Sequence, residues 1–296
     1  MIKRTIVIIS PAFLSLKNNQ LTICNKDKET RYEPIEDVGY LILDHPQITV
    51  TTPLLNAFRE NNTAVIFCDN THHPRSMLLN LDGNTLQNEL FRAQISASTP
   101  LKKNIWKQVV MAKLWNQAAV LAFTGSDGKD IERMATQVKS GDSDNREGYA
   151  ARLYWPRLFG YDFKRLREGL PPNNMLNYGY AVIRAAVARA LAGSGLLNTL
   201  GIHHRNRYNA FCLADDIMEP YRPFVDATVY ELNGIYPEQD MLNMDIKSAL
   251  LNILNSDCKM NGNKSPLMIA MQSSSASLAK CFDGTAKNVV FPEFAG

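Results

Sequence analysis

The hydrophobic pattern of this 296-residue chain changes period once, near residue 80, and that change restricts the fold more than any other feature. Before it, short β-branched runs at Thr5–Ile9, Gln20–Cys24, Val38–Leu43, Ile48–Thr51 and Ala64–Asp69 are separated by Asn, Pro and Gly turns, as strands are. One helix is predicted among them, with Thr52 as cap, Pro53 at the first position and Leu54, Leu55 and Phe58 as its apolar face. Beyond the stretch Leu81-Asp82-Gly83-Asn84, read as the hinge, apolar residues recur every three or four positions. Helices are predicted over Thr85–Ser96, Leu101–Phe123, Asp130–Lys139, Arg146–Phe159, Asn173–Ala192, Asp216–Asn233, Gln239–Leu254 and Pro266–Phe282. Ser256–Lys264 reads as a flexible loop and the last dozen residues as a tail. Strands first and helices after specify an α+β protein: a small N-terminal β-rich domain (residues 1–80), then a larger all-α domain (residues 85–296) that carries the chemistry.

No stretch of this chain approaches the roughly 18 apolar residues of a membrane span, so no membrane partner is expected. The basic start and apolar run of the first thirteen residues are too short and too β-branched for a signal peptide, and read as a strand. The five cysteines are scattered, with no Cys-x-x-Cys pair, which points to reduced thiols in a cytoplasmic protein and away from a zinc knuckle. The net charge of +3 conceals a strong division. Residues 1–80 sum to zero, residues 92–207 hold eighteen basic against eight acidic side chains, and residues 208–296 hold six against eleven. A basic middle leading into an acid-bearing segment suits an enzyme of nucleic acids, with cations for the backbone and carboxylates for a metal.

The acid-bearing segment begins at Gly201-Ile202-His203-His204 and runs through Asp215, Asp216 and Glu219. On a helix Asp216 and Glu219 share one face, and a histidine with two carboxylates on rigid elements is what a divalent cation needs to work on phosphate esters. Asp216-x-x-Glu219 also reads as a capping box that opens a helix, with Asp215 as an alternative cap. His72-His73, beside Asp69 and before Pro74, reads as a polar loop and not as a second metal site. No Gly-x-x-x-x-Gly-Lys-Ser/Thr phosphate loop and no His-Glu-x-x-His is present, which argues against a nucleotide triphosphatase and a metalloprotease.

The string Asp216-Ile217-Met218-Glu219-Pro220-Tyr221-Arg222-Pro223, after Gly201-Ile202-His203-His204, resembles the CRISPR-associated adaptation integrases in their type II form. These endonuclease-like proteins insert new spacers into CRISPR arrays. The likeness extends to Asn145–Phe159 and Leu176–Tyr180, and departs at Tyr221, where the family pattern has phenylalanine. The resemblance implies metal ligation by Glu147, His204 and Glu219, with Asp216 as an outer-sphere acid or occasional ligand. His203 is then a DNA-positioning residue, or the ligand in place of His204. Two carboxylates and one imidazole suit Mg²⁺ or Mn²⁺ better than a closed zinc site. The implied chemistry is spacer acquisition by attack of a 3′-hydroxyl on the repeat strand; a metal-dependent DNA nuclease unconnected with CRISPR is the alternative. Arg133, Arg146, Arg152, Arg165, Arg167, Arg184, Arg205 and Arg207 are the candidate contacts to the DNA backbone. Implied partners are double-stranded DNA (prespacer and leader-repeat), a second copy of the chain through the neutral first domain, the small partner Cas2, and the RNA-guided effector nuclease of type II systems.

Overall fold

The computed structural model describes residues 4–25, 29–70, 72, 74–78, 83–166, 169–237 and 239–295. Two compact units divide the chain, residues 1–83 and residues 84–296. The hinge residues Leu81 and Asp82, like His73 and Arg167, lie outside the described residues.

The first unit holds β1 (Arg4–Ile8), β2 (Ala12–Lys17), β3 (Gln20–Cys24), β4 (Arg31–Pro34), β5 (Val38–Leu43), β6 (Ile48–Val50), α1 (Thr52–Glu60), β7 (Ala64–Cys68) and β8 (Pro74–Leu78). They form two four-stranded sheets, ordered β1-β5-β7-β8 and β4-β3-β2-β6. In the first, β1, β5 and β7 run parallel and β8 is antiparallel to β7. Central parallel strands are covered on both faces, which is why Val38–Leu43 is a continuous run of buried residues and not an alternating one. Leu14, Leu21, Val38, Leu41, Leu54, Phe58 and Val65 make the shared core, so α1 is held by the Leu54 and Phe58 stripe expected of it. Its cap is Thr51, one residue before the expected Thr52. The β-rich reading holds, with three strands (β2, β4, β8) added to the expected set.

The second unit is mostly helical: α2 (Gln87–Ser96), α3 (Thr99–Phe123), α4 (Lys129–Thr136), α5 (Arg146–Phe159), α6 (Asn173–Gly193), α7 (Cys212–Ile217), α8 (Arg222–Ile235), α9 (Met244–Asn252) and α10 (Leu267–Phe282). A buried α6 is the hub, packed against α7, α8, α9 and α10, while α3 packs against α4, α5, α7 and α8. Gly179 permits the closest approach in the hub, since a Cβ there would lie 2.4 Å from Cγ1 of Val225 on α8. The loop expected at 256–264 is instead a hairpin, β9 (Asp257–Met260) and β10 (Asn263–Pro266). Its turn residues Asn261 and Gly262 both have positive φ (51° and 79°), the conformation a two-residue hairpin demands. The C-terminal segment is pinned as well: Lys259 and Glu293 exchange backbone hydrogen bonds, and Asn116 in α3 bonds Pro292 and Phe294.

Candidate nucleic-acid active site

Four segments of the second unit converge on one polar cluster. The expected helix at 216–233 is broken in two, because α7 ends at Ile217 and a 3₁₀ turn spans Glu219–Tyr221 before α8 begins. Pro220 and Pro223 cannot donate to a continuous helical ladder.

Asp216 lies inside α7, fully buried, and is not a helix cap. Its Oδ2 accepts from the backbone amides of Ile202 (2.6 Å) and His203 (3.0 Å), and its Oδ1 from the amide of His204 (3.1 Å). The same Oδ1 bonds Nδ1 of the His204 ring at 2.6 Å. Gly201 is required for this approach, since a Cβ there would sit 2.3 Å from the His204 carbonyl oxygen and 2.9 Å from Asp216 Oδ2. The hydrogen bond that Asp216 accepts from the ring, against the opposing effect of burial, raises the His204 pKa above its ordinary value. With Nδ1 engaged, Nε2 is the ring nitrogen left for a ligand, the usual arrangement of a carboxylate-oriented metal histidine. Asp215 is also inside α7 and accepts from the Asn209 side chain at 2.6 Å, so it is not the cap either.

Glu147 opens α5 as its sequence position suggested. Asp142, from the preceding polar loop, accepts the amides of Arg146 (2.8 Å) and Glu147 (3.1 Å), and Asn145 accepts that of Gly148 (3.2 Å). Three capped amides at one helix start fix where the Glu147 side chain leaves the backbone.

Glu147 and Glu219 meet on a residue that was not singled out in the sequence. The Lys113 ammonium, from α3, lies 2.5 Å from Glu147 Oε1 and 2.5 Å from Glu219 Oε2. Arg222 holds the other oxygen of Glu219, with Nε 3.0 Å from Oε1. Burial pushes the Glu219 pKa up, but Arg222 and Lys113 outweigh it and keep the group below the usual carboxylate range. For Lys113, burial acts downward and is overcome by Glu219 and Glu147, so the ammonium stays charged. Arg222 is itself set over the Tyr180 ring, 4.7 Å from its centroid. His203 stacks flat on Trp106 of α3, with ring centroids 4.2 Å apart, while His204 meets the Trp106 ring edge-on.

Lys113 and Trp106 had a signal in the sequence. Trp106, Val109, Val110, Lys113, Asn116, Gln117 and Val120 fall at helical spacing on the buried stripe of α3. A lysine on such a stripe needs a carboxylate partner. Among the described residues no three His, Cys, Asp or Glu side chains form a ready cluster for a metal. The carboxylates are drawn together by an ammonium, and His204 is drawn towards Asp216.

The arginines divide. Arg133, Arg152, Arg205 and Arg207 are exposed; Arg152 lies over the Tyr149 ring and Arg207 over Tyr208. Arg146 pairs with Asp144 at 2.9 Å, and Arg184 lies over the Phe211 ring. Arg165 donates to Asn173 and Asn177 (3.0 and 2.7 Å) and lies over the Tyr180 ring. His72 bonds the buried Asp44 at 2.7 Å, consistent with a polar loop.

Comparison with known proteins places these features in a family. The family model described as CRISPR associated protein Cas1 matches residues 6–235. A CRISPR-associated endonuclease Cas1 from Neisseria meningitidis is 36% identical over 293 residues, covering 98% of this chain and 96% of the relative. A solved casposase bound to an integration product superposes with a TM-score of 0.80 at 21% identity, over 100% of this chain and 95% of that one. A Cas6-RT-Cas1–Cas2 complex gives 0.72 at 18% identity, over 99% of this chain and 36% of that one. The chain belongs to the Cas1 family of CRISPR-associated endonucleases.

Proposed function

We propose that this protein is a metal-dependent DNA integrase and endonuclease that inserts new spacers into CRISPR arrays. The observation that carries the proposal is the convergence of Glu147 and Glu219, from separate helical segments, on a single positive centre beside an Asp216-oriented His204. The donor set fits Mg²⁺ or Mn²⁺: two carboxylate oxygens already share one cation, and an imidazole nitrogen is directed by a buried acid. When bound, the metal would supply neutralisation of phosphate oxygens and Lewis-acid polarisation at the scissile phosphodiester.

The protein's own groups then have separable tasks. Glu147, Glu219 and His204 would hold the cation; Asp216 fixes the His204 ring and the 202–204 loop; Arg222 restrains Glu219. The exposed arginines grip the DNA backbone and present a prespacer 3′-hydroxyl in line with the repeat phosphate, so that one phosphodiester replaces another. With water in place of the hydroxyl, the same site cuts DNA. The resemblance to a casposase bound to integration product and to a Cas1–Cas2 assembly supports double-stranded DNA and a Cas2-like protein as partners. The first unit, whose residues 1–80 carry no net charge and include none of the site residues, is assigned to homodimer assembly. The effector nuclease of type II systems is a further partner of this reading, and the cytoplasm its compartment.

The test is integration of a short duplex with 3′-hydroxyl ends into a plasmid carrying leader and repeat, with Mn²⁺ and the Cas2-like partner. Glu147→Ala, His204→Ala and Glu219→Ala should each abolish strand transfer while DNA binding survives, and EDTA should stop the wild-type reaction. Wild-type strand transfer by both Glu219→Ala and His204→Ala would refute the metal site.

A further inference from the structure

Lys113 stands where a divalent cation would have to sit, and this has a consequence for how the site is loaded. Its side chain is only 12% exposed and its ammonium touches one oxygen of each carboxylate. Without a positive charge at that point, two carboxylates aimed at one centre would repel each other in a poorly hydrated pocket. Arg222 does not relieve this, because it pairs with the far oxygen of Glu219 and leaves Glu147 untouched. Lys113 is therefore the sole charge in contact with both acids among the described ion pairs.

We propose that Lys113 is a resident counter-cation that holds Glu147 and Glu219 in place, is displaced by the divalent cation, and then lends its charge to a DNA phosphate. The inference rests on the metal-site reading given above. An ammonium 2.5 Å from an oxygen of each carboxylate stands in the space that a metal ion, at the roughly 2 Å of a coordination bond from those oxygens, would take, and two cations so close repel, so the two compete. A lysine carries its charge on a flexible four-carbon stem, which lets the ammonium move without moving α3. Once displaced, it is a buried charge that has lost both partners, which is costly until an anion arrives. The backbone of bound DNA is the anion this site is built to receive. Metal and DNA should therefore bind cooperatively, with Lys113 as the coupling element.

The experiment is calorimetric titration of Mn²⁺ into the full chain, with and without a short non-cleavable duplex, for wild type, Lys113→Met, Lys113→Arg and Glu219→Gln. In wild type, DNA should tighten Mn²⁺ binding by about tenfold or more, within the usual range of coupling between two ligands. Lys113→Met should bind Mn²⁺ tighter than wild type without DNA and show little further gain with DNA. Its metal-free melting temperature should fall and be restored by Mn²⁺. Lys113→Arg keeps the charge and should retain the coupling, which separates a charge effect from loss of fold. If Mn²⁺ binds wild type and is lost in Glu219→Gln, yet Lys113→Met matches wild type with and without DNA, the Lys113 inference fails alone. If no form binds Mn²⁺ under either condition, the metal-site reading fails and takes the inference with it.

Discussion

Asp216 is the residue whose replacement the structure prices most clearly. It is fully buried and accepts three backbone amides and a ring nitrogen, at 2.6 to 3.1 Å. Asp216→Ala removes every acceptor at once, and each amide left without a partner costs about 1–3 kcal/mol. Water entering the space left behind recovers part of this, and the partly exposed His204 ring can turn to solvent. The expected loss is about 3–5 kcal/mol, the range for breaking a buried ionic contact. Urea denaturation followed by far-ultraviolet circular dichroism measures it, with Asp215→Ala as the control expected to lose less than about 1 kcal/mol, since its single bond is to a side chain. The gentler Asp216→Asn should let the His204 pKa fall back towards its ordinary value, because the Asp216 hydrogen bond is the largest influence raising it. Proton NMR titration of the ring reads this directly, and strand transfer should fall by about ten- to a hundredfold. A stability change below about 1 kcal/mol for Asp216→Ala, together with an unmoved His204 titration in Asp216→Asn, would refute the assigned role.

Three further outcomes are expected. Burial pushes Asp226 up to about 6 from 3.8, against the hydrogen bonds from Tyr180 and Tyr154, so the folded chain keeps a proton that the unfolded chain has released. Stability should therefore decline as pH rises from about 4 to about 6 and level off above, a loss of about 3 kcal/mol that Asp226→Asn removes; parallel curves for the two proteins would contradict it. DNA affinity should drop by about a thousandfold between about 50 and 200 mM salt if six or more phosphates are neutralised, and a flat response would mean the basic middle is not the DNA grip. Light scattering after size exclusion should give twice the monomer mass, and a clean monomer at micromolar concentration would count against the dimer.

The parts of the fold that could be read in advance were those in which one residue pattern admitted one structure. The amphipathic stripes of α3, α5 and α6 lie close to their expected bounds, because a long apolar period has no competing reading. Short elements depended on turns. Asn261-Gly262 adopts positive φ and closes a hairpin that its polar flanking residues disguised as a loop, and Asn18-Asn19, also at positive φ, closes the hairpin whose first strand, β2, was missing from the expected set. Within the site, the acids and histidines were visible as a motif, but not that Asp216 serves His204 and the 202–204 amides while Glu219 serves Lys113 and Arg222. Lys113 stood on the apolar stripe of α3, which signals a need for a carboxylate, but which carboxylates it meets was not legible, because they lie 34 and 106 residues away and no local pattern encodes such a separation.

Those separations also bear on when a freshly made chain completes its carboxylate pair. Lys113 and Glu147 leave the ribosome well before Glu219 does, and at about 5–20 residues per second the interval from first to last runs to several seconds or more. The turn carrying Glu219 follows α7, whose Asp216 gathers the 202–204 loop, so a prematurely ended chain has Lys113 and Glu147 without the second carboxylate. On the proposed function, a chain that ends before Glu219 therefore lacks the complete carboxylate pair, and competence cannot precede that residue.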